Sequence, residues 1–383
     1  MAMCFSFVVE KTDPGSRARL GWLHTPHGAV RTPVFMPVGT QATVKCVTPA
    51  QVEEAGAEIV LANTYHLYLR PGHDVVRDLG GIHRFMAWGR PVLTDSGGFQ
   101  VLSLSALRRV SDDGVVFRSH LDGSEHFFSP EKATAVQNAL SSDIAMAFDE
   151  CPPYPASLAE VGDAVERTAR WAERCKAAHS NDSQALFGIV QGGTVPELRR
   201  RSARQIVSTG FDGYAIGGLS VGEPKEATYE MVAEVEPLLP AGSPRYLMGV
   251  GSPDDLVTAV SLGVDMMDCV LPTRLARHAA LLTGEGRLQI KNAVYAHDPR
   301  PIDEGCDCYA CRHFTRAYVR HLFKAGEVLG LTLATIHNLR YLFRLMDRIR
   351  TAVDEGGLDA LRRGVVDLFG DNRRAASDRD GEL

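Results

Sequence analysis

LFGIVQGG, residues 186–193, runs apolar on both faces and then ends in a Gln and two glycines. A strand with one wet face would alternate. A strand covered on both sides, as in a parallel sheet under helices, reads as one apolar run. Seven more such runs lie between residues 32 and 270: VFMPVG (34–39), EIVLANT (58–64), RPVLTDSGG (90–98), DIAMAFDE (143–150), GYAIGGL (213–219), RYLMGVG (245–251) and VDMMDCV (264–270). Helical patterns separate many of them, such as SLAEVGDAVERTARWAERCKAA (157–178) and PELRRRSARQIVSTG (196–210). SPDDLVTAVSLG (252–263) begins with a Ser-Pro-Asp-Asp cap. Eight βα units predict an α/β chain folded as a (β/α)8 TIM barrel, with a doubly wound open sheet as the alternative.

Polar residues or glycines recur where these runs end: Asp95, Asp149, Gln191, Gly218, Gly249 and Asp268. In a barrel all of these ends open on one face, where active sites are built. A single Asp there could merely cap the next helix. Three carboxylates, a Gln and glycine turns at successive strand ends read together as a site.

Bulk properties exclude several classes. With 45% hydrophobic and 23% charged residues, the chain falls among soluble globular proteins. No stretch approaches the roughly 20 apolar residues of a membrane span. MAMCFSFVVEKTDPGS lacks a basic segment before its few apolar residues, so a secretion signal is not expected. Eight cysteines without an export signal point to the cytoplasm. Net charge is −6, which argues against a general nucleic-acid binder. Yet residues 274–350 hold 13 Lys+Arg against 7 Asp+Glu, a local excess that permits a polyanion footprint on one side.

That basic segment contains CDCYAC (306–311). Three cysteines are an odd number for disulfides, and thiolates this close converge more readily on a soft cation. His337, in TIHNLRYL on a later helical stretch, would complete a closed Cys3His set, although spacing alone does not single it out among five histidines of the segment. The alternative is a small buried cluster of reduced thiols. Residues 1–275 are expected to form the barrel with its catalytic face. Residues 276–369 would form a metal-binding subdomain with closing helices, and 370–383 a disordered tail.

TDSGGFQ (94–100), FRSHLDGS (117–124), DECPPYPA (149–156), FGIVQGG (187–193), GYAIGGLSVGEP (213–224), RYLMGVG (245–251), DCVLPTR (268–274) and CDCYAC together resemble the bacterial tRNA-guanine transglycosylases, or queuine tRNA-ribosyltransferases. The match runs in order from near residue 10 to about 350. The resemblance implies a (β/α)8 barrel with an inserted zinc subdomain near the C-terminus. One structural Zn2+ per chain would be held by Cys306, Cys308, Cys311 and His337. It implies exchange of guanine at the wobble position of tRNAs with a GUN anticodon (the Asp, Asn, His and Tyr types). The incoming base would be 7-aminomethyl-7-deazaguanine, preQ1. A homodimer and no membrane partner are also implied.

Such an exchange breaks an N-glycosidic bond through an oxocarbenium-like state, which a carboxylate on the opposite face can trap covalently. By resemblance Asp268 is that nucleophile, and Asp95 manages protons on the departing and incoming bases. Asp149 corresponds to the acceptor for the base's N–H groups, and Gln191 and the Gly218–Leu219 backbone to donors for its carbonyl. Phe99 and Met248 correspond to positions that sandwich the heterocycle, with plain core packing as the alternative. Cys151 would lie near the base's side group, and Ser96, Gly97 and Gly98 would form the loop beneath it. Gly249, Val250, Gly251, Ser252, Pro253, Asp254 and Asp255, with Thr273, Arg274, Leu275, Ala276 and Arg277, match tRNA contacts. One departure stands out: where the family usually has Asn-Gly, this chain has His278-Ala279. A barrel glycoside or nucleoside hydrolase using the same acids is the rival enzyme, and a catalytically decayed RNA-binding barrel the non-enzymatic one.

Overall fold

The computed structural model describes residues 5–104 and 108–370, so the tail expected to be disordered lies outside the described residues from 371 onward. Eight parallel strands close into a barrel: β1 (Val34–Gly39), β2 (Val60–Ala62), β3 (Val92–Thr94), β4 (Ile144–Met146), β5 (Ala185–Val190), β6 (Gly213–Ile216), β7 (Arg245–Leu247) and β8 (Met266–Cys269). Each falls inside one of the eight apolar runs or within a residue of it. The ring shuts where Met266 of β8 pairs with Val34 of β1. The open-sheet alternative is excluded by that pairing.

The side chains divide by the two-residue period of a strand. Met36, Leu61, Leu93, Met146, Phe187, Ile189, Tyr246 and Met266 fill the barrel interior. Phe35, Val60, Ala62, Val92, Leu186, Val190, Leu247 and Met267 face the surrounding helices in a second apolar layer. Because both faces are covered, each run needed apolar residues at odd and even positions alike.

Helices Leu158–Ala178, Pro196–Thr209 and Pro253–Ser261 occupy the stretches anticipated from periodicity, and Ser252 caps the last, its Oγ accepting from Asp255 N at 3.4 Å. Two three-stranded antiparallel sheets, and a hairpin beyond β8, were not anticipated. One (Ser6–Thr12, Arg19–Thr25, Gly28–Thr32) closes the N-terminal floor of the barrel, placing Leu23 and Val30 among the interior side chains. The other (Arg108–Ser111, Gly114–Arg118, Glu125–Phe128) lies between β3 and β4 in the chain.

Beyond β8, a hairpin (Ala280–Thr283, Gly286–Gln289) leads to the cysteines and then to the Val328–Glu355 helix. That helix serves two cores. Leu333, Ala334 and Ile336 pack with the cysteines in a separate small cluster, while Leu339, Leu342, Phe343, Met346 and Ile349 join the main core around the barrel. Among the described residues, no helix is long and apolar enough to cross a membrane.

Candidate active site and metal centre

The inward period continues past the strand ends. Asp95 follows Leu93 by two residues, Gln191 follows Ile189, Met248 follows Tyr246 and Asp268 follows Met266. The layer above the apolar interior is therefore polar. It lines a cavity of about 340 Å³ at the C-terminal mouth, walled by Asp95, Asp149, Cys151, Gly218, Met248 and Asp268 among others.

Asp95 is 5% exposed. Its Oδ1 accepts from Thr64 N at 2.8 Å and its Oδ2 accepts from Asn63 Nδ2. Burial pushes its carboxyl up to about 7, against the Asn63 and Thr64 hydrogen bonds that pull it down, and the Asp268 charge adds to the rise. Asp268 accepts from Tyr246 OH at 2.6 Å and Gly249 N at 2.9 Å; burial raises its carboxyl as well. Two acids share one cavity in different settings, and one of them titrates near neutrality. That is the arrangement required of an acid–base group beside a nucleophile.

Asp149 Oδ1 accepts from Ser96 Oγ at 2.7 Å and Oδ2 from Gln191 Nε2 at 2.6 Å. Gln191 was expected to donate to a base carbonyl. Its amide donates to Asp149, and it lies behind the cavity wall, fully buried. Its first effect is to orient that acid. Gly218 is required at its position, with φ +62° and a Cβ that would come within 2.1 Å of Gln191 Oε1. Gly98 is confined in the same way by the Asp149 carbonyl. Phe99 is 48% exposed at the rim of the cavity, and Met248 is half-buried in its wall. Burial lifts the Cys151 thiol to about 12, so it is a neutral group at pH 7 and no nucleophile.

Sequence reading passed over Asn63, Tyr246 and Arg199. Asn63 stood inside a quoted run with no signal beyond its polarity. Arg199 is fully buried under the Gly217–Gly218 turn, donating to the carbonyls of Val190, Gly193, Gly217 and Gly218 at 2.6–3.1 Å. Burial lowers it to about 10, so it stays a cation at neutral pH and fixes the turn. On a helix rich in arginines, nothing local marked it.

The segments expected to face RNA divide by exposure. Val250, Gly251, Ser252, Pro253 and Asp254 are buried, as are Thr273, Leu275 and Ala276. Asp254 and Asp255 hold Lys225 rather than facing outward. Of these segments, Gly249 and Arg274 are exposed, and Arg277 is half-buried with Nη1 on Thr273 O at 3.0 Å. The His278-Ala279 departure falls at a helix end. Ala279 follows the Leu271–Arg277 helix with φ +62° and is fully buried, which is where glycine normally sits.

Cys306, Cys308, Cys311 and His337 bring their four donor atoms within 4.8 Å of one another. His337 Nδ1 stands 3.7 Å from Cys308 Sγ and 3.3 Å from Cys311 Sγ. A tetrahedral ion with bonds of about 2.3 Å to sulfur and about 2.05 Å to nitrogen separates such donors by about 3.5 Å. His337 Nε2 lies 2.7 Å from the Leu282 carbonyl, which fixes the proton there and turns the Nδ1 lone pair toward the thiols. The residues fit a closed four-coordinate metal site.

Barrel, polar mouth and Cys3His cluster define a TIM-barrel enzyme with paired buried carboxylates and, near the C-terminus, four residues that could hold a metal ion. The family described as "Queuine tRNA-ribosyltransferase" matches residues 13–369, and this chain belongs to that family. Curated relatives of that name occur in Moorella thermoacetica, 64% identical over 95% of this chain and 98% of the relative. Another occurs in Pelotomaculum thermopropionicum, 62% identical over 92% and 96%. One from Bacillus licheniformis is 58% identical over 93% and 94%.

Proposed function

We propose that the chain exchanges guanine at the wobble position of GUN-anticodon tRNAs for preQ1, through a covalent ribosyl-enzyme. The observation that carries this reading is the pair of buried acids on one cavity, one titrating near 7. Asp268 attacks C1′ as the glycosidic bond breaks, and the bonding pair leaves with guanine. Asp95, protonated, gives that base its proton. The incoming base then returns a proton to Asp95, its ring nitrogen attacks C1′, and Asp268 is released. Asn63 can support both states of Asp95: its amide donates to the carboxylate and, turned over, accepts from the acid.

Asp149, oriented by Ser96 and Gln191, offers acceptors to the base's N–H groups, while Phe99 and Met248 border its faces. Neutral Cys151 leaves room for a small aminomethyl group. Arg274 engages phosphate near the splayed nucleotide. Zn2+ in the Cys3His set would hold the hairpin and the Val328–Glu355 helix in register, a structural and not a chemical part. The boundary near residue 275 separates the catalytic barrel from this appendage. A tRNA substrate and reduced cysteines both suit the cytoplasm. For the homodimer, exposed Tyr309, Tyr318, Val328 and Leu329 supply apolar surface.

The test is incorporation of labelled guanine into unmodified GUN tRNA, beside a tRNA lacking that anticodon, followed by displacement of the label with preQ1. Release of guanine without incorporation would favour the hydrolase. Elemental analysis should find one zinc per chain, lost in Cys308→Ala.

A further inference from the structure

A second group of potential ligands lies at the opposite end of the barrel. His27 sits in the turn of the floor hairpin, between Arg19–Thr25 and Gly28–Thr32. His83 sits in the Gly81–Met86 helix, and Asp143 immediately before β4. His27 Nδ1 is 2.8 Å from Asp143 Oδ1, and His83 Nε2 is 2.9 Å from Asp143 Oδ2. The two imidazoles stack with centroids 3.5 Å apart and planes 13° from parallel. We propose that His27, His83 and Asp143 form a second metal-binding site, for a divalent first-row cation that favours square or octahedral coordination, such as Ni2+ or Cu2+.

The spacing selects the class of ion. Bonds of about 2.05 Å place nitrogen and oxygen donors about 2.9 Å apart when they meet at a right angle, and about 3.4 Å apart in a tetrahedron. The observed 2.8 and 2.9 Å run to different oxygens of Asp143, so each imidazole neighbours one oxygen of the carboxylate at the right-angle spacing. The carboxylate is held from behind, as a ligand should be: His27 N donates to Oδ1 at 3.2 Å and Val92 N to Oδ2 at 2.8 Å. Each neutral imidazole frees its lone pair by moving its proton to the other ring nitrogen, and both rings turn slightly toward the ion. Access is direct, because the His27 side chain is 40% exposed while Asp143 is fully covered. Such an ion would tie three separate segments to the barrel floor.

The chain, isolated with its Cys-site metal in place, is dialysed against limiting Ni2+, and each metal is counted. One nickel per chain beyond the Cys-site metal is expected, with a rise in melting temperature. His27→Gln keeps a donor for Asp143 but supplies a poor ligand. It should weaken nickel retention about tenfold or more, leaving zinc content and the nickel-free melting temperature unchanged; His83→Gln should act likewise. No retained nickel, nickel that only displaces the Cys-site metal, or equal retention in both variants would overturn the site and leave a simple hydrogen-bonded bridge. None of these readouts depends on tRNA exchange.

Discussion

Asp265 and Asp268 stand three residues apart at the two ends of β8, and their surroundings are opposite. At the floor, Arg19 clasps Asp265 with Nε at 2.8 Å and Nη2 at 2.5 Å, Arg245 N adds a third donor at 2.7 Å, and both side chains are buried. Asp143, also at the floor, meets two imidazoles and two backbone N–H groups. At the mouth, Asp268 has a phenol and one N–H, and Asp95 an amide and one N–H. Among the described residues, no cation lies within ion-pair reach of either mouth acid. A carboxylate with its counter-charge built in holds a structure together. Burial raises Asp265 as it raises the two mouth acids, although the Arg19 and Arg245 contacts pull it down; what separates the two ends is the built-in counter-charge, without which a carboxylate reserves its charge for a reaction.

The sharpest way to break this contrast is Asp268→Asn. Exchange should fall by about 10³-fold or more, with no denaturation-resistant complex between enzyme and tRNA on a gel, while the melting temperature holds or rises. A surviving covalent band would assign the nucleophile to another residue. Asp265→Asn should do the reverse. It leaves Arg19 buried without its partner, at a cost of about 3 kcal/mol in urea unfolding, yet turnover per folded molecule should be unchanged. Equal loss of turnover in both variants would erase the distinction between the ends.

A smaller effect comes from pH. Asp95 moves from 3.8 to about 7 on folding, so between those values the native state binds more protons than the unfolded chain. Its contribution is fully present below about 4 and is lost as pH rises through about 7. Asp95→Asn should remove that decline, gaining of order 2 kcal/mol at pH 8 relative to the native chain. Asn63→Ala removes the strongest hydrogen bond favouring the carboxylate, so the inflection in the pH–rate profile should move above 7. A downward move would mean that Asn63 stabilises the acid form instead. Smallest is Arg274→Ala, which should weaken tRNA binding modestly and reduce the salt slope by about 1. Arg277→Ala should change it less, since that guanidinium is partly engaged with Thr273 O. An unchanged slope in both would move the RNA footprint off this rim.

Much of the site was legible because it inherits the strand period. Asp95 and Asp268 lie two residues beyond interior positions, so locating β3 and β8 also located them. Gln191 was found by the same rule, but its hydrogen bond to Asp149 was not, because no linear pattern brings the ends of two strands together. The stretch Gly249–Asp255 was assigned to RNA by resemblance alone, and burial of Val250–Asp254, where Ser252 begins the helix its Ser-Pro-Asp-Asp cap foretold, could not be read from the linear sequence. Arg199, Asn63 and Tyr246 act through partners drawn from other strands and turns, as many as 32 residues away for Asn63 and Asp95.

Periodicity and composition alone established the eight βα units, the polar layer at their C-terminal ends and the cysteine spacing suited to a soft cation, because those features arise from neighbours along the chain. Packing alone decided which charges are neutralised. Arg19 reaches Asp265 across 246 residues, His27 reaches Asp143 across 116, and Asp268 meets no cation among the described residues. These distances in sequence vanish only when the barrel closes, so whether an acid becomes a brace or a reagent is set by the fold.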